Sequence, residues 1–562
     1  MVTTIRKGSL VFFIIYLVIF FLGLKALTHG FPDIERFFAE WMDERITLTD
    51  IMTFGTLNFA PKHIFHPPLY HYLTFIPISM FFIIGKLTGI FADKIEFVRL
   101  YFNNTHYFFL IGRITSYLFY WLSAIMIYKT SRLFYSKVVS HISTLSYLLI
   151  PRFIFDFSTT RPETLLFLNT SLFFYFFLKY YLDNKELKYL FLASFFLGLS
   201  TATKYNALFL GSIFIPALIF YLRNQNHIRR NYKSLLFLCF KLAFFVFLGF
   251  FIGDPFFIIL FKKYIYNLSL FSRVEVKYYW EGYAPVVFLL THIKELSSTL
   301  YFNFFGFLLL LFGSWRLFKK DKVLFTILFF VILIYEFYFG IYLSACSPLR
   351  YLNPLLPIAV LIFSAGVNYV LKYKKRFISI LIIFFIILFF NYLDILIGLS
   401  LKPTYLQEAR AFIEKNIPEF TNICIASNSH LPQLNMTRES YNHLIETAPR
   451  IKDIRGRELA YKEMDNNEKY ESIFRELRIQ SLLKKPQYNL IRWDGNIKSE
   501  QEAGAFFKKN NIRYAISNGA WMVNNKNLTD LKTVSLMKEF RPKNIKVYQG
   551  RLYLYKIELE NN

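Results

Sequence analysis

Hydrophobic residues gather in long runs almost free of charge: 9–28, 69–91, 106–128, 138–155, 163–182, 187–203, 205–222, 235–260, 298–315, 323–343, 351–371 and 377–401. A helix needs about 20 such residues to cross a hydrocarbon layer roughly 30 Å thick. The pattern predicts a polytopic α-helical membrane protein. Basic residues punctuate the runs at Arg6-Lys7, Lys129/Arg132/Lys137, Arg223/Arg229/Arg230/Lys233, Arg316/Lys319/Lys320/Lys322 and Lys372/Lys374/Lys375/Arg376. Placing these loops on the cytoplasmic side puts residues 29–68, 261–297, 344–350 and everything after about 402 outside. Twelve runs would leave both chain ends on one side. One run between 69 and 155 is therefore a non-spanning helix or a merged pair, and 11 or 13 spans are expected.

The first outer loop has a different periodicity. In "GFPDIERFFAEWMDERI" (30–46), Ile34, Phe37, Phe38, Trp41, Met42 and Ile46 form one helical stripe, with Asp33, Glu35, Arg36, Glu40, Asp43 and Glu44 off it. This is the pattern of a helix lying in the membrane interface, with carboxylates turned to the head groups. Asp33, after Pro32, also suits an N-cap. The tail, 403–562, changes composition again. An amphipathic stretch from Tyr405 leads into the apolar run Ile423–Ala426. "SEQEAGAFFKKNN" reads as a helix, and "IRYAIS" and "RLYLYKIEL" read as strands. The expected organisation is a transmembrane domain over 1–402 and an extracytoplasmic α/β domain over 403–562.

Composition sharpens this picture in three places. Residues are 55% hydrophobic and only 18% charged, with 69 Phe and 39 Tyr, which a soluble chain would not need. The net charge of +27 is spread over short loops, so it reads as topology signal and not as a nucleic-acid patch. Cys239, Cys346 and Cys424 are too far apart in sequence to suggest a disulfide framework or a metal cluster. The first run lacks a small-residue cleavage site and is expected to be a retained helix.

Three stretches, in order, carry a family resemblance. The "PD" after the first span continues into "GTLNFAPKHIFHPPLYHYL" (55–73). "FLGLSTATKYNALFL" (196–210) and "SPLRYLNPLLPIAVLIFSAG" (347–366) follow. Together they resemble the GT-C superfamily of integral membrane glycosyltransferases, in the branch of protein O-mannosyltransferases and the lipid A aminoarabinose transferase. The resemblance covers about residues 1–375. The family often has adjacent Asp-Glu where this chain has Asp33-Ile34-Glu35, which turns Glu35 about 200° from Asp33 on a helix.

The resemblance implies transfer of a sugar from a polyprenyl-phosphate carrier to an acceptor hydroxyl of a lipid, glycan or protein on the outer face. Such chemistry needs a base for the acceptor proton and cations for the departing phosphate. Asp33 is the expected base, with Glu35 and Glu163 as further acids. Glu163 aligns with a position often Asp in the family and also suits the first turn of a helix. Lys204, between two apolar helices and without an acidic neighbour in sequence, is the first candidate for the phosphate. A lysine snorkelling to water at a helical turn has the same sequence signature. Arg350 is the second, suited to bidentate contact or to anchoring at the interface. Arg113 and Arg161 follow. His63, His66 and Tyr70 are expected at the substrate loop, and Asp33, His63 and His66 would make a divalent-metal site. No other cofactor is expected. Asp254, in "GDPFF", is a further acid at an outer helix end. The expected location is the plasma (inner) membrane.

Three other function classes fit the same composition. A flippase or transporter of lipid-linked glycans would distribute polar residues through its spans and show an inverted repeat. A surface-polysaccharide polymerase would place its arginines in a large late loop. A non-catalytic subunit would keep the fold without activity.

Overall fold

The computed structural model describes residues 2–28, 42–56, 59–61, 66–183, 186–224, 232–262, 264–265, 284–342, 352–373, 377–400, 405–425, 434–440, 442, 486–492, 500–517, 522–523, 526–527, 534–541 and 552–558. Asp33, Glu35, His63 and Arg350 lie outside them. The chain divides into two compact units. One comprises Met1–Leu27, Thr47–Pro77 and Ile111–Leu396; the other comprises Thr28–Ile46, Ile78–Leu110 and Ile397–Asn562.

Helices dominate. In chain order they are α1 (Val2–Ala26), α2 (Met42–Thr53), α3 (Leu69–Leu87), α4 (Lys94–Asn103), α5 (His106–Arg132), α6 (Lys137–Leu148), α7 (Arg152–Phe157), α8 (Glu163–Leu182) and α9 (Leu187–Thr201). A 3₁₀ stretch, Tyr205–Ile213, leads into α10 (Phe214–Asn224). Then come α11 (Tyr232–Gly253), α12 (Ala284–Leu296), α13 (Asn303–Lys320), α14 (Lys322–Tyr342), α15 (Leu356–Tyr373), α16 (Ile378–Ser400), α17 (Tyr405–Asn416) and α18 (Glu500–Lys509). Among the described residues, six helices are long and apolar enough to cross a membrane: Leu69–Leu87, His106–Arg132, Glu163–Leu182, Leu235–Gly253, Asn353–Tyr373 and Ile378–Leu399.

Helix direction can be read from side-chain contacts. Leu27 at the end of α1 accepts a hydrogen bond from Arg113 on α5, Phe20 stacks near Tyr117, and Tyr16 meets Trp121, so α1 and α5 are antiparallel. Tyr70 meets Ser116 and Phe119, while Phe81 meets Tyr107 and Phe108, so α3 also opposes α5. It follows that α3 runs the same way as α1.

Small residues set the tightest helix contacts. A Cβ added at Gly198 would strike the backbone of Val246 and Phe250, and one at Gly249 would strike that of Phe195, so α9 and α11 touch backbone to backbone. Gly313 and Gly366 do the same for α13 and α15. Association of helices without a large hydrophobic driving force depends on such small-residue contacts.

The other unit contains a sheet of order β2-β1-β3-β7-β6, formed by β1 (Asn422–Ile425), β2 (Asn489–Arg492), β3 (Tyr514–Ser517), β6 (Val534–Phe540) and β7 (Leu552–Ile557). A separate pair joins β4 (Met522–Val523) and β5 (Lys526–Asn527). β1 is parallel to β2 and β3, whereas β7 is antiparallel to β3 and β6. Cys424, Ala515 and Tyr555 of the sheet pack with Ala503 and Phe507 of α18 into one core. In the same unit Gly85 leaves room for the Phe91 ring, and Phe81, Phe91, Phe97 and Phe108 form an aromatic cluster.

Candidate active site

Three helix ends meet at one junction. The backbone N–H of Leu69, after the Pro67-Pro68 pair, donates to Ala202 O at 3.3 Å. Gly253, the last residue of α11, lies so close to Ala202 and Leu69 that a Cβ there would collide. Pro67-Pro68 presets the start of α3, while Ala202 and Gly253 are small enough to let the backbones approach. Leu69, Tyr70, Leu165 and Ala202 form the buried cluster beneath this junction.

Lys204 stands beside it. No glycine or proline marks the end of α9, but the chain turns at Ala202-Thr203 and Lys204 is extended (φ −151°, ψ 130°) before the nine-residue 3₁₀ stretch. So long a 3₁₀ run is unusual and often marks a functional irregularity. Asn169 Nδ2 of α8 donates to Thr203 Oγ1 at 3.1 Å and holds the turn. Lys204 Nζ donates to Glu163 Oε1 at 2.7 Å, and both residues are buried. Lys204 therefore has the acidic partner that its sequence neighbourhood lacks, supplied from 41 positions earlier. Glu163 occupies the first turn of α8, where the helix dipole favours an anion.

Around this pair lie more buried charges. Asp156 on α7 is 3.9 Å from Arg152 and accepts a long contact from Asn353 Nδ2 at 3.5 Å. Burial pushes the Asp156 carboxyl above the usual carboxylate range. Arg152 opposes that shift, Glu163 adds to it, and Arg161 and Lys204 oppose it. A run of five ionisable groups thus interacts across α7, the start of α8 and the end of α9. The backbone N–H of Arg152 donates to Leu300 O at 2.9 Å, and Tyr301 beside it is fully buried.

Other candidates fall into different settings. Tyr70 is buried, its hydroxyl 2.7 Å from Ser116 Oγ and 3.4 Å from Gly112 O, so it joins the Glu163–Lys204 neighbourhood through Leu165 and Ala202. Arg113 is buried and its Nη1 donates to Leu27 O at 2.8 Å, which ties it to the end of α1. His66 is half-buried at the start of the proline pair. Of the expected metal trio, only His66 lies among the described residues. Among those residues no group of three His, Cys, Asp or Glu gathers to hold a metal.

Sequence reasoning did not single out Arg152, Asp156 or Asn353. Their signal was an acid inside the apolar segment "PRFIFDF", flanked by Arg152 and Arg161. A second buried pair was also missed: His292 Nδ1 on α12 lies 2.7 Å from Glu336 Oε1 on α14. Beside it, Asn206 Nδ2 donates to Tyr335 OH at 3.1 Å.

Residues 108–252 match the family model described as dolichyl-phosphate-mannose-protein mannosyltransferase. Over this segment the resemblance to the GT-C glycosyltransferases holds. The matched segment contains Arg113, Asp156, Arg161, Glu163 and Lys204. Among solved structures, the chain is similar to ArnT from Cupriavidus metallidurans bound to undecaprenyl phosphate, with 12% identity, a TM-score of 0.43 and 98% of each chain covered. The apo form of that protein gives 14% identity and a TM-score of 0.42 over 68% of this chain; there this chain spans 62%, less than two thirds, of the solved chain. The Archaeoglobus fulgidus oligosaccharyltransferase in complex with Zn and sulfate is similar at 12% identity and a TM-score of 0.43, covering 89% of this chain and 67% of that one. No curated protein matches by sequence.

Proposed function

We propose that this protein is a membrane glycosyltransferase that moves a sugar from a polyprenyl-phosphate donor to an acceptor hydroxyl on the extracytoplasmic face. The observation that carries the reading is the buried Lys204–Glu163 pair, set in a cluster with Arg152, Asp156 and Arg161 inside the family-matching segment. Buried charges among membrane helices are costly and mark function. A lysine has three donors and Glu163 Oε1 takes one, so Lys204 keeps the capacity to receive a phosphate oxygen while Glu163 fixes its position. Arg350 supplies the second cation. Asp33 is the base that accepts the acceptor's proton as the hydroxyl attacks the anomeric carbon.

The helix directions support the sidedness. Tyr181 OH donates to Asp321, Lys320 lies over Tyr135, and Arg316 lies over Tyr369, so the basic ends of α5, α8, α13 and α15 share one side. By the positive-inside rule that side is cytoplasmic. The Lys204–Glu163 pair belongs to the opposite helix ends. Eleven crossings then follow: α1, α5, α6, α8, α9, the 3₁₀ stretch with α10, α11, α13, α14, α15 and α16. On this path α3 does not cross, and residues 403–562 emerge outside.

The test is to incubate purified protein with a panel of polyprenyl-phosphate sugars plus candidate acceptors, following donor and released carrier by mass spectrometry. Consumption of one donor, reduced on the order of 10²–10⁴-fold in Asp33→Asn with folding intact, is expected. Full transfer by that variant would remove Asp33 as the base, and no consumption of any donor would count against the reading.

A further inference from the structure

One polar cluster beside the Lys204 turn is not used by the chemistry just described. Asp254 follows Gly253 and is completely buried, as is Tyr264. The Asp254 carboxylate faces the Tyr264 hydroxyl and the backbone N–H groups of Phe256 and Phe257, but none of these contacts reaches regular hydrogen-bond geometry, and the Tyr205 hydroxyl likewise lacks a regular bond among the described residues. The Asp254 charge acts on Tyr205, Tyr264 and Tyr72 alike, so the four residues share one neighbourhood. The rings of Tyr205 and Tyr264 stand edge to face with centroids 6.3 Å apart, and Phe257 lies 5.2 Å from Tyr264. Tyr72 OH is already committed to Phe59 O at 3.0 Å.

A carboxylate can accept about four hydrogen bonds, so with only loosely aligned neighbours a buried one keeps acceptor capacity for a donor-rich occupant. The chemistry fits a polyhydroxylated ring: its hydroxyls donate to the carboxylate, while its C–H faces lie on the tyrosines. A lone carboxylate without His, Cys or a second acid is a poor fit for a divalent metal.

Position points the same way. Tyr205 is the residue after Lys204, and Gly253 is locked against Ala202, two residues before it. The Lys204 turn and Asp254 are therefore backbone neighbours through the Ala202–Gly253 contact. We propose that Asp254, with the hydroxyls of Tyr205 and Tyr264, is the subsite that holds ring hydroxyls of the transferred sugar. This rests on the glycosyltransferase reading and assigns its sugar specificity to particular residues.

The experiment compares binding of bare undecaprenyl phosphate with that of undecaprenyl phosphate carrying mannose, glucose or arabinose, in nanodiscs. Wild type, Asp254→Asn, Tyr264→Phe and Lys204→Met are measured, with melting curves to establish folding. Wild type is expected to bind one sugar-bearing carrier at least tenfold better than the bare one. Asp254→Asn should abolish that preference while leaving the bare carrier's affinity unchanged, and Tyr264→Phe should reduce it several-fold. Lys204→Met should weaken both carriers. Equal loss for both carriers in Asp254→Asn, or retention of the full preference, overturns the subsite while lipid binding keeps the enzyme reading intact. If Asp254→Asn does not fold, Tyr264→Phe decides by the same criterion. A wild type that binds the bare carrier but prefers no sugar overturns the subsite alone, and one that binds no carrier overturns both.

Discussion

At the scale of single residues, the cost of burying charge makes the site testable. Removing one member of a buried ion pair leaves the other without its counter-charge, at about 3–5 kcal/mol. Lys204→Met should therefore lower the melting temperature in detergent. The double variant Lys204→Met/Glu163→Gln should recover much of that stability without recovering transfer. A double variant that still transfers sugar would take Lys204 out of the mechanism. Asp254 adds a pH dependence. Burial pushes its carboxyl up to about 6, with Tyr264 and the backbone of Phe257 and Phe256 opposing. The groups facing it are Tyr72, Tyr205 and Tyr264, which stay protonated over this range. Because the folded pKa lies above the ordinary carboxylate value, its contribution favours the folded state at low pH and is lost as pH rises through about 6. Ligand binding has the opposite sign, since the ionised carboxylate is the stronger acceptor for sugar hydroxyls. Donor preference should fall as pH drops below about 6, and Asp254→Asn should show no such inflection in a titration of affinity.

At the scale of elements, packing positions the chemistry. The Gly198–Gly249 contact sets how α9 approaches α11, and these two helices end at Lys204 and Asp254. Gly313–Gly366 does the same for α13 and α15 elsewhere. Overpacking typically costs about 1–3 kcal/mol, so Gly249→Ala and Gly313→Ala should both lower the melting temperature. Only Gly249→Ala should also weaken donor binding; equal binding losses would mean that the α9–α11 contact has no special part. The sequence revealed this scale unevenly. Hydrophobic runs located most helices, including the break before Lys204, and strand periodicity found β3 and β7, while β1 showed only as an apolar run. The runs could not show direction: the contacts of Tyr70 and Phe81 with α5 make α3 parallel to α1, a relation that hydrophobicity along the chain does not carry. They also could not show that Glu163 reaches Lys204, because that pairing depends on how α8 and α9 pack.

At the scale of the whole molecule, the proposed path makes sidedness measurable. In a background with Cys239, Cys346 and Cys424 replaced by serine, single cysteines at Thr88, Glu419 and Asp321 report on three connections. A membrane-impermeant maleimide added to intact cells should label the first two and leave Asp321→Cys unlabelled until the membrane is opened. Labelling at Glu419 but not Thr88 would restore α3 as a crossing helix. Asp33, His63 and Arg350 were singled out through resemblance and lie outside the described residues; neither a helical stripe nor a basic residue at a span end states which partner it meets.

The contact of Leu69, Ala202 and Gly253 has a practical side for anyone wishing to change what the protein accepts. Three separate helix ends are registered against one methyl group, so a bulkier residue at 202 would disturb them all at once. Trimming that methyl away in Ala202→Gly is the one gentle adjustment available there. Redesign for a larger sugar is better begun at the tyrosines, where rings can be shortened without unseating the helices behind them.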